Sequence, residues 1–232
     1  MSEEHPAQEQ QRALARQALT AVLARAAAGE FPSPDGTVEV LAQPSDRDAG
    51  VISLTGFAVI FADTDPGWIS KQLRPGDLSA PLSPRFLYAL GHRLCRQGHS
   101  IDMLTSASPL AGPPPPDLGL AQLTAAEGEV HPRIVRALLY RDDVRAWQAP
   151  GGVVMIGRGV TGRYEVAIEV DDAHRGRGLG TRLATAARHL VPPDEPVWAQ
   201  IAPANAASVR AFLAAGFRPI GAEALLSKDL PE

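Results

Sequence analysis

The chain has 232 residues and a mass of 24.5 kDa; it is 45% hydrophobic and 21% charged, with net charge −4 and a pI near 5.9. That is the balance of one large or two small globular domains with a buried core, and it offers no global positive field for nucleic acid or an anionic membrane. The apolar runs are too short for a membrane span, the opening MSEEHPAQEQ is acidic and polar, against a secretory signal, and the lone cysteine, Cys95, excludes an intrachain disulfide and points to a cytoplasmic setting. Lysine occurs only at 71 and 228, so arginine carries nearly all the positive charge, a bias of high-GC bacterial genomes.

Residues 7–28 read as a helix with Leu14, Ala18, Ala21 and Val22 near one face, between Pro6 and Gly29. FPSPDG then breaks the chain. TVEVLA (37–42) is a short strand, and VISLTGFAVIFAD (51–63) a long β-rich run bent at Gly56. Residues 64–83, rich in Pro, Gly and Asp, predict a long excursion with little regular structure. Ser83-Pro84 opens a helix faced by Phe86, Leu87, Leu90 and Leu94 and stopped at Gly98, which makes Cys95 a buried thiol. SIDMLT (100–105) is a strand. SPLAGPPPPDLG, extended by its prolines, is read as the linker at 108–118.

Beyond it, Thr124 and Glu127 have the spacing of a capping box. A helix near 131–142 places Ile134, Val135, Leu138 and Leu139 on one side. VRAWQA (144–149) and VVMIGRG form a hairpin around Pro150-Gly151-Gly152, and YEVAIEV (164–170) is a third strand. On that strand Val166, Ile168 and Val170 face one way, Glu165, Ala167 and Glu169 the other. Gly157 to Gly162 fits G-x-G-x-x-G but precedes a strand, so it is read as a turn. A helix (TRLATAARHLV), a strand (196–202) and a helix from Asn205 to Ala215 follow. FRPIGAEALLS is a closing strand pair or one bent strand. The order predicts a 1–30 helix, a smaller α/β part over 36–107 and a main domain over 119–232.

The chemistry concentrates in Arg175-Gly176-Arg177-Gly178-Leu179-Gly180, between a strand and a helix. Glycines let a ligand approach the backbone. Amides at a helix start lack intrahelical acceptors and sit at the positive end of the dipole, so they suit an anion such as a diphosphate. Taken alone, such a loop is equally a plain strand-to-helix connection. The six histidines show no ligand-pair spacing, so no metal site is expected.

The motif has company. Arg175, Gly178 and Gly180 fit Q/R-x-x-G-x-G/A, and Asn205, Ser208, Phe212, Gly216 and Phe217 fit a later Asn-led helix pattern ending in Gly-Phe. In this respect residues 119–232 resemble the GNAT (GCN5-related) N-acetyltransferase superfamily. The resemblance implies an α/β fold with a twisted, mixed, mostly antiparallel sheet flanked by helices. It implies acetyl-CoA as cosubstrate and acetyl transfer to a small-molecule or peptide amine by a direct ternary complex. It implies a cofactor gap between strands 164–170 and 196–202. Val170, Arg175, Gly176, Arg177, Gly178, Leu179, Gly180, Thr181, Asn205 and Ser208 would line that cofactor. An alkyl ammonium must lose a proton before it attacks, and Glu165 and Glu169 are the candidate bases, unless both are plain solvent-facing residues. Phe212 stands where many members carry a proton-donating Tyr, which leaves open a catalytically weak or inactive acyl-CoA-binding protein. The strand–loop–helix–strand order of 51–105 parallels 164–202 and suggests a diverged half-copy without the glycine motif. The N-terminal helix is a candidate homodimer contact.

Overall fold

The computed structural model describes residues 4–98, 100–124 and 131–228, with the side chains of 4 and 5 left out. The chain forms two compact units, 1–103 with 220–232, and 104–219. Both are mixed α/β with mostly antiparallel strand pairing. Among the described residues no helix is long and apolar enough to cross a membrane.

The first unit opens with α1 (Glu4–Ala27). The helix is where the sequence puts it, but its buried stripe is Ala15, Leu19, Leu23 and Ala26, and Leu14 is exposed. Alanine and leucine lie all round this helix, so composition marks its inner face poorly. Strands β1 (Val38–Leu41), β2 (Gly50–Leu54) and β3 (Phe57–Phe61) follow. The long run at 51–63 is thus a hairpin turning at Gly56 (φ +67°), with Val51 opposite Ile60. β1 pairs parallel with β3.

The excursion at 64–83 is more regular than expected. Asp65 caps α2 (Pro66–Gln72) by accepting from Gly67 and Trp68 N–H, and a 3-10 turn spans Ala80–Leu82. Pro66 at the first helical position favours the turn that its residue type suggested would break. Ser83 caps α3 (Pro84–Leu94) as predicted. That helix ends at Cys95, left-handed (φ 53°), before Gly98 is reached, and the thiol is exposed. β4 (Gln97–Gly98) pairs with the end of β11 (Arg218–Ser227), a single strand that also lies antiparallel to β2. Val51, Ile60, Ile69, Phe86, Leu90 and Leu226 close this core.

In the second unit the sheet order is β5 (Asp102–Ala107), β10 (Val197–Ile201), β9 (Tyr164–Val170), β8 (Gly152–Arg158), β7 (Asp142–Ala149), β6 (Ala121–Gln122). Residues 108–118 fall within this unit. Leu110 N–H donates to Arg188 O, and Arg182 pairs with Asp117 at 2.7 Å. The capping box at Thr124 and Glu127 reaches outside the described residues. α4 (Pro132–Leu138) is shorter than predicted and capped by His131 Nδ1. It buries Ile134 and Ala137 against Ala146, Val153 and Met155, while Val135, Leu138 and Leu139 stay exposed. α5 (Leu179–Ala187) and α6 (Ala206–Ala214) cover the other face. A Cβ on Gly152 would lie 3.0 Å from Leu183 of α5.

Candidate functional site

β9 carries the candidate residues, and its two edges differ. Toward β8 the ladder is complete from Gly152↔Val170 to Arg158↔Tyr164. Just beyond it, Asp171 N–H donates to Gly151 O at 2.9 Å. Antiparallel ladders alternate, so the odd residues of β9 bond β8 and the even ones turn N–H and C=O to the other edge. On that edge β10 is in register only at Val197↔Tyr164 and Trp198↔Glu165. The amides of Ile168 and Val170 therefore point at an edge from which β10 has parted. The carbonyls agree with this parity. Val170 O accepts from Arg175 Nε at 3.3 Å, and Ile168 O from Arg133 Nη2 at 3.5 Å.

The open edge runs into the glycine loop. Gly176 (φ 73°) and Gly178 (φ 81°) are left-handed, and a Cβ at either would meet nothing within 4 Å. Gly178 is the N-cap of α5 and supplies no side-chain acceptor. The first-turn amides of Leu179, Gly180 and Thr181 have no backbone acceptor among the described residues. This cradle fits a diphosphate. A side chain would have filled it, and the dipole favours negative charge there. Arg175 and Arg177 are exposed beside it, Arg175 held by Asp172 at 2.7 Å.

The structure thus brings Val170 and residues 175–181 to one end of β9. A Cβ on Gly180 would sit 3.7 Å from Val170 and 3.5 Å from Ala211 of α6, so α5 packs closely on both. Asn205 and Ser208 lie at the start of α6 and are engaged with each other. Asn205 Oδ1 accepts from Ser208 N–H at 3.0 Å, which commits that oxygen to capping.

The two glutamates share a strand face but not an environment. Glu165 is 2% exposed. Its Oε2 accepts from Arg141 Nε at 2.9 Å, and its Oε1 from Arg163 Nε at 2.8 Å and Gln200 Nε2 at 3.2 Å. Burial alone would raise this carboxyl, but the Arg163 and Arg141 guanidiniums outweigh it and hold it below the ordinary carboxylate range. Its oxygens are occupied, and it lies roughly 16 Å along the strand from Val170. Glu169 adjoins Val170. Its side chain is 43% exposed, with Arg133 Nε 3.9 Å away. Phe212 is 4% exposed and meets Phe217 edge-on at 4.9 Å, a core contact with no proton to give.

Sequence reasoning missed Arg141, Arg163 and Gln200. Arg163 stands two residues from Glu165, so strand alternation already put it on the same face. Nothing local points to Arg141 or Gln200, which arrive from other elements.

A mostly antiparallel sheet, a parallel strand pair registered at one end only, and a glycine-led helix start beyond it characterise this α/β unit. The Acetyltransferase (GNAT) family matches residues 135–217 of this chain. No curated protein matches the sequence. Among solved structures, a GCN5-related N-acetyltransferase from Kribbella flavida is 19% identical, with TM-score 0.40 over 62% of this chain and 64% of its own. A GNAT-family protein from Novosphingobium aromaticivorans is also 19% identical, with TM-score 0.41 over 58% and 68%. A tandem GNAT protein from the clavulanic acid biosynthesis pathway is 17% identical, with TM-score 0.36 over 69% and 63%. The chain thus spans about two thirds of the length of these relatives.

Proposed function

We propose that this chain is an acetyl-CoA-dependent N-acetyltransferase acting on a small-molecule or peptide amine by direct transfer. The observation that carries this reading is the open edge of β9 leading into the uncapped start of α5. When bound, acetyl-CoA supplies a thioester-activated acetyl group. The amides of Gly176 to Thr181 would hold the diphosphate, with the Arg175 and Arg177 side chains adding charge. The outward Val170 N–H would hold the thioester oxygen as negative charge gathers on it. Asn205 and Ser208 would bind the pantetheine arm, Asn205 through its amide nitrogen since its oxygen is a cap.

Of the two carboxylates, Glu169 is assigned as general base. It is open to solvent and adjacent to Val170, so it can take a proton from the acceptor ammonium directly or through one water. Glu165, saturated by donors, is not a proton acceptor in this scheme. Phe212 offers no proton to the departing thiolate. With a thiol pKa of about 8.5, the thiolate leaves without one.

A second reading, acyl-CoA binding without turnover, is favoured by the buried Phe212 alone. Thermal unfolding with and without saturating acetyl-CoA tests the first requirement. Ligand at 100 times its dissociation constant adds about 2.7 kcal/mol to native stability. A shift together with free-thiol release in the presence of primary alkyl amines or peptide N-termini supports the enzyme. A shift with no release over that panel supports the second reading. No shift overturns both.

A further inference from the structure

We propose that Glu165, Arg141, Arg163 and Gln200 form a buried clamp that fixes where β9 and β10 part, making Glu165 a positioning residue for the gap. The consequence for acetyl-CoA rests on the function proposed above; the clamp itself rests on geometry alone.

Two parallel strands have no backbone reason to stop pairing at a given residue, because each further pair satisfies more donors. Something must hold them at the parting. The last registered pair is Trp198↔Glu165. Gln200 lies two residues past it on β10, and its amide reaches back to the clamp from both ends. Nε2 donates to Glu165 Oε1 at 3.2 Å, and Oε1 accepts from Arg141 Nη2 at 3.1 Å. Arg141 therefore brackets the two strands, one nitrogen on Glu165 and another on Gln200. Arg163 closes the far side of the carboxylate, with its guanidinium 5.4 Å from the Trp198 ring. The side chains of Glu165, Arg163 and Arg141 are 3%, 5% and 14% exposed, so these ion pairs are shielded from water and salt.

The fold makes room for this group. A Cβ on Gly159 would run into the Glu165 carboxylate, and one on Gly157 would stand 2.8 Å from Arg141 Cβ. Two glycines of the G-x-G-x-x-G turn thus serve the clamp, a purpose the family site does not supply. Such a cluster does nothing for proton transfer, since every Glu165 oxygen is already an acceptor. It sets the place and angle at which β10 leaves β9.

Two variants of the full chain test this. Gln200→Leu removes the bracket without stranding a charge; Glu165→Gln removes the charge at its centre. Hydrogen exchange without ligand should show the amides of Val166 and Trp198, at the last registered pair, exchanging about tenfold faster in Gln200→Leu than in the wild type, those of β7 and β8 being unchanged. The acetyl-CoA dissociation constant should rise about three- to tenfold. With the panel amine that gives the fastest thiol release, KM for acetyl-CoA should rise with it and kcat stay within about twofold. Glu165→Gln, if folded, should keep the ascending acid limb of the kcat profile. Unchanged exchange in Gln200→Leu overturns the clamp, as does loss of that limb in Glu165→Gln, which would make Glu165 the base. A wild type that fails to bind acetyl-CoA overturns the acyltransferase reading instead, and the exchange measurement still decides the clamp.

Discussion

The helix starts of the first unit and the start of α5 obey the same electrostatics and end differently. In the first unit Asp65 fills the donors of Gly67 and Trp68 at 3.0 and 3.1 Å, and Ser83 Oγ accepts from Phe86 N–H at 3.3 Å. Those termini are closed by their own chain. α5 begins on Gly178, which has no side chain to turn inward. Its orphan amides need an acceptor from elsewhere. One residue type at one position separates a helix start closed by its own chain from one left open. The strand before each helix differs in the same sense. β3 is paired on both edges, by β1 and β2. The far end of β9 is registered on one edge alone.

The largest effect should come from making α5 resemble α2. Gly178→Asp supplies a cap and a negative charge where the diphosphate would lie, and Asp tolerates the left-handed backbone better than most residues. Acetyl-CoA affinity should fall by at least about 100-fold, or about 2.7 kcal/mol, while the ligand-free midpoint moves by only a few degrees. Calorimetric titration checks the first and thermal scanning the second. Retained affinity would mean that the open helix start is not the anion seat. Next in size is Glu169→Gln, which touches the other half of the contrast, the end of β9. It should lower kcat by about 100-fold and leave acetyl-CoA affinity within about threefold. An unchanged kcat removes Glu169 from the mechanism.

Much of this was legible in the sequence because the signals are local. Ser83-Pro84, the strand 164–170 with its alternating faces, and the glycine loop each declare themselves within a few residues. Signals that depend on distant partners did not declare themselves. The excursion at 64–83 hides α2 because Asp65-Pro66 reads as a breaker until the Asp side chain is seen capping. β11 belongs beside β2, about 170 positions earlier, and no local pattern encodes that pairing. The same holds for the glutamates. Alternation puts Glu165 and Glu169 on one face, but only tertiary structure brings Arg141 and Gln200 to the first and leaves the second open. The apolar side of α4 that stays exposed departs from the sequence pattern for a related reason: a seven-residue helix presents too few turns to define its inner stripe.

The smaller effects concern stability and separate the two kinds of glycine use. Gly159→Ala forces a methyl group into the Glu165 carboxylate and should destabilise the fold by about 1–3 kcal/mol. An alanine at Gly176, where a Cβ meets open space, pays only for its left-handed backbone, about 1 kcal/mol. Urea midpoints at constant slope distinguish the two, and equal losses would mean that Glu165 can move aside. Ser83→Ala should lower stability by about 1 kcal/mol, the usual worth of an N-cap oxygen. Removing a cap here exposes amides at the start of α3 much as Gly178 exposes them at α5, yet Phe86 beneath is 2% exposed and Pro84 and Pro81 crowd the turn. Ser83→Ala should therefore gain no anion affinity. If sulfate stabilised that variant more than the wild type, an uncapped helix start would be sufficient by itself, and the shape of the glycine loop would lose its part in the comparison.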